Sequence, residues 1–168
     1  GRLQEIDRAP LAPGDIDLSG ANLQGFDLQD LSFEKALFIS ARLEGTALYT
    51  AHLEAASLVG AHLAGAVLEK AHLEGALLIY AHLDDATVLT GASFRGAAVW
   101  DVDEKTIAKL RPFWAEIFAD GSVPVPFDDP DRPAHWPRQE LELAEFNEEW
   151  RKWRADPENY APPKEPGG

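Results

Sequence analysis

The sequence contains neither cysteine nor methionine among its 168 residues. Without cysteine, the chain has no thiol nucleophile, no thiolate zinc site and no disulfide framework. Basic residues are also few, since 15 Lys and Arg stand against 29 Asp and Glu, which gives a formal net charge of −14. Nucleic-acid binding needs a basic face for the phosphates, so we expect no direct nucleic-acid partner. No apolar run approaches the roughly 18 residues of a membrane-spanning helix, so no span is expected in this chain.

A repeat of five residues fills the first half of the chain. From Ile16 to Thr90 the sequence divides into 15 uninterrupted units, of which the first three are IDLSG, ANLQG and FDLQD. The third position is Leu in twelve units, and the first position is Ala in eleven. Neither position holds a charged residue, which indicates that both are buried. After Gly91 the pattern resumes one residue out of phase as ASFRG and AAVWD.

This period fits neither an α-helix nor a straight strand. On a helix, each successive Leu would move about 140° around the axis, so no apolar stripe would form. On a strand, an odd period sends alternate Leu residues to opposite faces. A chain that turns by about a right angle at every unit points each third-position side chain at one axis. Four units then close a coil, and coils stack about 4.8 Å apart. The sequence therefore predicts an all-β solenoid.

The repeat resembles the pentapeptide-repeat family of bacterial proteins, whose pattern is A(D/N)LXX. ANLQG at 21–25 fits this pattern fully, whereas most later units carry His, Arg, Ala, Val or Leu at the second position. The resemblance covers residues 16–100 and implies a right-handed quadrilateral β-helix of about four coils. It also implies that second and fourth positions point outward, which assigns them to four side walls.

The rest of the chain is predicted to cap and flank this β-helix. Residues 1–15 form a lead-in. A capping helix is expected within 101–120, starting at Asp103 as N-cap and running to 119, with Pro112 kinking or splitting it. Residues 121–155 hold a proline-rich loop and a second, Trp-rich helix over 138–154, and residues 156–168 are predicted to be a disordered tail. The apolar stripe of the capping helix is Ile107, Leu110, Trp114, Ile117 and Phe118.

One predicted wall is apolar and is the candidate interaction surface. A stacked apolar patch of this kind is unusual on an isolated monomer. Two interpretations stay open: the Trp-rich segment 136–153 covers the patch within the same chain, or the patch binds a second copy or another protein. The wall residues are Leu37, Ile39, Val59, Leu77 and Ile79.

Four histidines recur every ten residues on two other walls, as the pairs His52/His72 and His62/His82. Imidazoles and carboxylates of this kind can hold zinc, which makes a metal-binding His/Glu face a remote alternative. Side chains on a flat sheet point in parallel and do not converge on an ion. We therefore expect solvated polar ladders, with no metal and no cofactor.

The predicted function is a non-enzymatic interaction module, because nucleophiles and bases would lie on outer walls without a cleft. The expected partner is a protein or a second copy in a homodimer. The resemblance also implies an alternative, since some pentapeptide-repeat proteins are acidic DNA mimics that bind gyrase. Residues 15–100 carry 11 acidic and 4 basic residues, a modest charge for such a mimic. We expect a cytoplasmic protein, or the soluble domain of a protein that an upstream segment anchors to a membrane.

Overall fold

The repeat region coils with a regular period of 20 residues. The computed structural model describes residues 16–167; the predicted lead-in at 1–15 and the last residue of the predicted tail lie outside this range. Second-position residues form parallel bridges to the residue 20 positions later, as in Asp17↔Leu37 and Asn22↔Arg42. Four five-residue units therefore make each coil, and every unit adds backbone hydrogen bonds to the next coil, such as Leu18 N–H to the Leu37 carbonyl at 2.7 Å. Two short parallel strands belong to this ladder, β1 (Leu77–Ile79) and β2 (Ala98–Trp100).

First- and third-position side chains fill the axis of the coil. Third-position leucines such as Leu28, Leu43 and Leu63 are fully buried, and so are the first-position alanines from Ala36 to Ala81. Two buried threonines take first positions, and their hydroxyls donate to carbonyls of the preceding coil: Thr46 to Leu23 at 2.8 Å and Thr87 to Leu63 at 2.9 Å. Buried hydroxyls are thereby hydrogen-bonded, which removes the cost of their burial.

One additional residue interrupts the five-residue period. The sequence pattern places this interruption at Gly91, whereas in the structure it lies at the turn of Asp84. Bridges change from a spacing of 20, as in His62↔His82, to 21, as in Val67↔Val88. The chain widens at the turn of Asp84, whose carboxylate accepts hydrogen bonds from the N–H groups of Gly65, Ala86 and Thr87. These bonds lower the pKa of Asp84. The phase assignment for 86–90 was therefore wrong: Leu89 is buried, and Val88 takes the outward position.

The cap of the last coil is a short helix followed by a 3₁₀ turn. Helix α1 spans Glu104–Lys109, and the Asp103 carboxylate caps it by accepting from Thr106 N–H at 2.8 Å. A 3₁₀ helix follows over Arg111–Glu116, with a proline in its first turn. Pro112 was predicted either to kink or to split a helix over 103–119; the helix is split, because proline cannot continue the α-helical hydrogen bonding. Phe118 is not helical; it bridges to Ala98 and adds a rung to the coil.

The second helix, α2, spans Leu143–Ala155 and begins five residues later than predicted. Backbone bonds hold the preceding segment extended, since Gly121 N–H donates to the Gln139 carbonyl and Leu141 N–H donates to the Asp120 carboxylate. The residues after α2 also differ from the predicted disordered tail. Tyr160 packs against the aromatic cluster under α2, and its hydroxyl donates to Glu149 at 2.8 Å.

Among the described residues, no helix has the length and apolar character to span a membrane.

Candidate functional site

The candidate site is the apolar wall, defined as the side of the coil that carries Leu37, Ile39, Val59, Leu77 and Ile79. Its second positions are joined by bridges from Leu37 to Ser57, from Ser57 to Leu77 and from Leu77 to Ala98. The structure therefore places these side chains on one side of the solenoid, as the predicted stacking requires.

Helix α2 packs on the C-terminal half of the apolar wall. Phe146, Trp150 and Trp153 form a buried cluster with Ile79, and Val59 and Leu77 pack at the edge of that cluster. The indole of Trp150 donates to the Gly96 carbonyl at 2.9 Å, which pins the helix to a corner of the coil. The Arg154 guanidinium lies 4.7 Å from the centre of the Trp150 ring, a cation–π contact. This half of the wall is buried within the chain.

The N-terminal half of the apolar wall is exposed. Leu37 retains 36% of its accessible surface and Ile39 retains 40%, whereas Ile79 retains 5%. The Trp-rich segment thus covers only part of the apolar wall. From the sequence, coverage by this segment and binding of a partner were alternatives for the whole wall. The exposed half is the part of the wall that another molecule can reach.

Two aromatic residues complete the wall, and neither was predicted to lie on it. Trp100 lies on β2 beside Ile79 and is 8% exposed, with its ring centre 6.2 Å from that of Phe146. Phe118 is fully buried and contacts the rings of Phe146 and Trp153 at centroid distances of 5.3 and 5.6 Å. The repeat itself signals Trp100, which takes the fourth position of AAVWD. Phe118 carries no such signal, because an apparent helical stripe includes it.

A buried group of contacts around the Ile117 carbonyl, here called the joint, connects the segment after the cap to α2. The carbonyl of Ile117 accepts hydrogen bonds from His135 Nε2 at 2.7 Å and from the indole of Trp136 at 3.0 Å. The His135 ring stacks on Trp153 with centroids 4.8 Å apart and planes 2° from parallel. Burial lowers the pKa of His135, and the hydrogen bond to Ile117 opposes this only partly. The neutral imidazole is therefore the form that fits the joint.

Asp120 anchors the same joint from the other side. Its side chain is fully buried and accepts from the N–H groups of Ser122 at 2.9 Å and Leu141 at 2.7 Å. Burial raises the pKa of Asp120 in spite of these hydrogen bonds. The carboxylate holds the two ends of the proline-rich loop together.

The four repeated histidines lie on two further walls. The His52 wall carries His52 and His72 with Glu54 and Glu74, and its two imidazoles stack with centroids 4.6 Å apart and planes 5° from parallel. The His62 wall carries His62 and His82, with centroids 5.1 Å apart and planes 15° from parallel. The two walls differ in their acids. His52 Nδ1 lies 2.9 Å from Glu54 Oε1, whereas the residue that follows His62 by two positions is Ala64.

Comparisons with family models and with solved structures show which proteins this chain is similar to. A family model for pentapeptide repeats matches residues 16–54 and 56–96 in eight copies. A pentapeptide repeat protein from Nostoc Pcc 7120 is 32% identical, with a TM-score of 0.50, over 55% of this chain and 74% of that chain. One from the thylakoid lumen of Arabidopsis thaliana is 27% identical, with a TM-score of 0.49, over 61% of this chain and 75% of that chain. No curated protein matches the sequence.

Proposed function

The chain belongs to the pentapeptide-repeat family, whose members fold as right-handed quadrilateral β-helices, and on this premise we propose that it is a non-enzymatic module that binds another protein through the apolar wall. Solenoids present long side surfaces suited to recognition. The observation that carries the proposal is the exposure of Leu37 and Ile39, which continue a wall whose other half is already covered by a helix.

The chemistry of the partner follows from how α2 occupies its half of the wall. An amphipathic helix lays aromatic side chains along the stacked second and fourth positions, as Phe146 and Trp150 do beside Ile79. The exposed half offers the same kind of positions in the preceding coils. We therefore propose an amphipathic helix of another chain as the partner segment, laid in the groove as helix recognition commonly works.

Charge substitutions on the exposed half test this function. A photo-crosslinking residue at position 37 is expected to capture one protein, which mass spectrometry identifies and which is then purified. That protein should bind the wild-type chain and lose its affinity for the Leu37→Glu/Ile39→Glu variant, because buried unpaired charges are costly. A second copy of this chain is an acceptable partner, and light scattering after size exclusion would show it as a dimer that the variant dissociates.

A control uses Thr90→Glu, which adds one negative charge, against two in the test variant, at an exposed fourth position of another wall. This variant should bind like the wild type. Two results together would contradict the proposal: the chain is monomeric, and every crosslinked protein, once purified, binds the Leu37→Glu/Ile39→Glu variant as tightly as it binds the wild type.

A second candidate, a DNA mimic that binds gyrase, rests on the acidic character of the repeat region. Within it, however, positive charges interrupt the walls: Arg42 lies 3.7 Å from Glu44, and Lys70 stands over the ring of Tyr49. DNA presents an unbroken negative surface to its binding proteins. The mixed charge of these walls therefore favours the protein-binding module over the mimic.

A further inference from the structure

The His52 wall carries a cluster that protein binding by the apolar wall does not use. His52, Glu54 and His72 each offer a ligand atom, and these three atoms all lie within 4.8 Å of one another. The repeat predicts parallel side chains that do not converge. The structure brings the three together because the bridge His52↔His72 stacks the two imidazoles, while Glu54 folds back on His52. We propose that these three residues bind one divalent transition-metal ion of the zinc class.

The distances are within reach of coordination. Zinc holds nitrogen and oxygen ligands at about 2.0–2.2 Å, so tetrahedral ligand atoms lie about 3.4 Å apart. The stacked imidazoles are parallel, so we expect side-chain rotation to close the cluster to that spacing. The side chains have the freedom to rotate, because those of His52 and His72 are 44% and 43% exposed and that of Glu54 is 30% exposed.

The donor set selects the class of ion. Two imidazole nitrogens and a carboxylate oxygen form a three-ligand zinc set that leaves a fourth position for water. Magnesium and calcium prefer oxygen ligands and should bind poorly. The charge around the site also favours a cation, since outward fourth positions of this wall are Glu34, Glu54 and Glu74, followed by Arg95.

One oxygen of each neighbouring carboxylate supports the same conclusion. Oε2 of Glu54 and Oε2 of Glu74 are shielded from solvent and accept no hydrogen bond, an arrangement that costs stability unless a positive group satisfies it. Glu44 has the same feature on the His62 wall, but Arg42 lies 3.7 Å from its other oxygen and supplies the positive charge. The other oxygen of Glu54 lies 2.9 Å from His52 Nδ1, and that of Glu74 lies 3.6 Å from His72 Nδ1; imidazoles are metal ligands.

The His62 wall is a natural control within the same molecule. It has a stacked histidine pair at nearly the same spacing, but Ala64 stands where Glu54 stands on the other wall. Asp84 corresponds to Glu74, and its carboxylate is already engaged by the N–H groups of the widened turn. Asp103 Oδ2 lies 3.4 Å from His82 Nδ1, but the other oxygen of this carboxylate caps α1. Among the described residues, only His52, Glu54 and His72 bring three ligand atoms within 4.8 Å of one another. The His62 pair is therefore expected to bind zinc more weakly than the cluster at His52.

Calorimetric titration of the chain, purified without a histidine tag, tests the site with Zn²⁺ as the probe. One ion per chain should bind, and Mg²⁺ should give no binding. His52→Ala and His72→Ala should abolish the Zn²⁺ binding, and Glu54→Gln should weaken it by at least about tenfold, because even groups that only orient ligands cost 10–100-fold. His62→Ala, the matched control, should bind Zn²⁺ like the wild type.

Nuclear magnetic resonance of the wild-type imidazoles gives a readout that needs no variant to fold. Zn²⁺ should shift the resonances of His52 and His72 and leave those of His62 and His82 unchanged. Absence of binding at millimolar Zn²⁺ would overturn the site. So would binding that disappears in His62→Ala, or that shifts both histidine pairs equally.

Discussion

At the scale of single residues, the coil depends on one left-handed backbone conformation at its corners, except at the widened turn of Asp84. At the other corners from Gly20 to Gly96, the fifth residue of the unit has a positive φ between 54° and 73°, and both glycines and other residues adopt it. L-residues pay about 1–2 kcal/mol for this left-handed conformation. Non-glycine corners therefore hold strain that the stacked coils must offset. They are Asp30, Lys35, Ser40, Thr50, Ala55, Lys70, Tyr80 and Asp101.

Exchanging alanine and glycine at two corners tests this strain. Ala55 is exposed with φ of 56°, so Ala55→Gly should stabilise the protein by about 0.5–1 kcal/mol, because relief of the strain exceeds the entropy cost of glycine. A Cβ at Gly45 would have no atom within 4 Å, so Gly45→Ala should destabilise through the backbone alone, by a similar amount. The midpoints of urea unfolding of both variants and the wild type measure the effect. A lower midpoint for Ala55→Gly would contradict the account.

At the scale of elements, α2 is attached to the coil by its aromatic face and by the joint at Ile117. The exposed face of α2 carries charges such as Lys152, which pairs with Glu148 at 2.9 Å and Glu149 at 2.6 Å. Exposed pairs of this kind contribute little, in the range of about 0–1 kcal/mol. The attachment therefore rests on buried contacts, and His135 is the titratable histidine among them.

The joint should make stability depend on pH. Because burial lowers the pKa of His135, the unfolded chain takes up a proton before the folded chain does. His135 thus contributes its full stability above its ordinary pKa of about 6.5, and the contribution is lost as the pH falls from there through the folded value. Asp120 has a raised pKa and acts oppositely between its ordinary pKa of 3.8 and its folded value, where the folded protein takes up its proton first. We expect a fall in unfolding midpoint from pH 7.5 to 5.5.

The variant His135→Gln isolates this contribution, because its amide can still donate to the Ile117 carbonyl and does not titrate. It should lose less stability than the wild type over the same pH interval. His62→Gln, at an exposed position, should keep the wild-type pH dependence. Equal pH dependence of the wild type and His135→Gln would show that the joint does not sense protons.

At the scale of the whole molecule, half of the net charge of −14 lies on the coil, where 11 acidic and 4 basic residues at 15–100 leave −7 on walls of different character. One wall is apolar, two carry histidine pairs with flanking acids, and corner lysines such as Lys35 and Lys70 interrupt the negative charge. Diffuse charge of this kind keeps proteins soluble and separates copies. We therefore expect partners to recognise local features of the walls rather than the overall electrostatic field of the protein.

A supercoiling assay distinguishes the proposed protein-binding module from a DNA mimic that binds gyrase. We expect the purified chain to leave gyrase activity unchanged at low micromolar concentration, because mixed walls do not reproduce a phosphate backbone. A pentapeptide-repeat protein that inhibits gyrase serves as the positive control in the same assay. Inhibition by this chain at that concentration would replace the proposed function with the DNA mimic.

The sequence by itself determined the coil, its buried leucines and alanines, and which outward residues lie together on one wall. A local pattern repeated every five residues fixes contacts at a constant separation, so no distant information is needed. Only the tertiary structure decided where the extra residue widens a turn at Asp84, how much of the apolar wall α2 covers and how closely Glu54 approaches the stacked histidines. These depend on contacts between segments far apart in the chain, or on side-chain torsions, and neither leaves a periodic trace in the sequence.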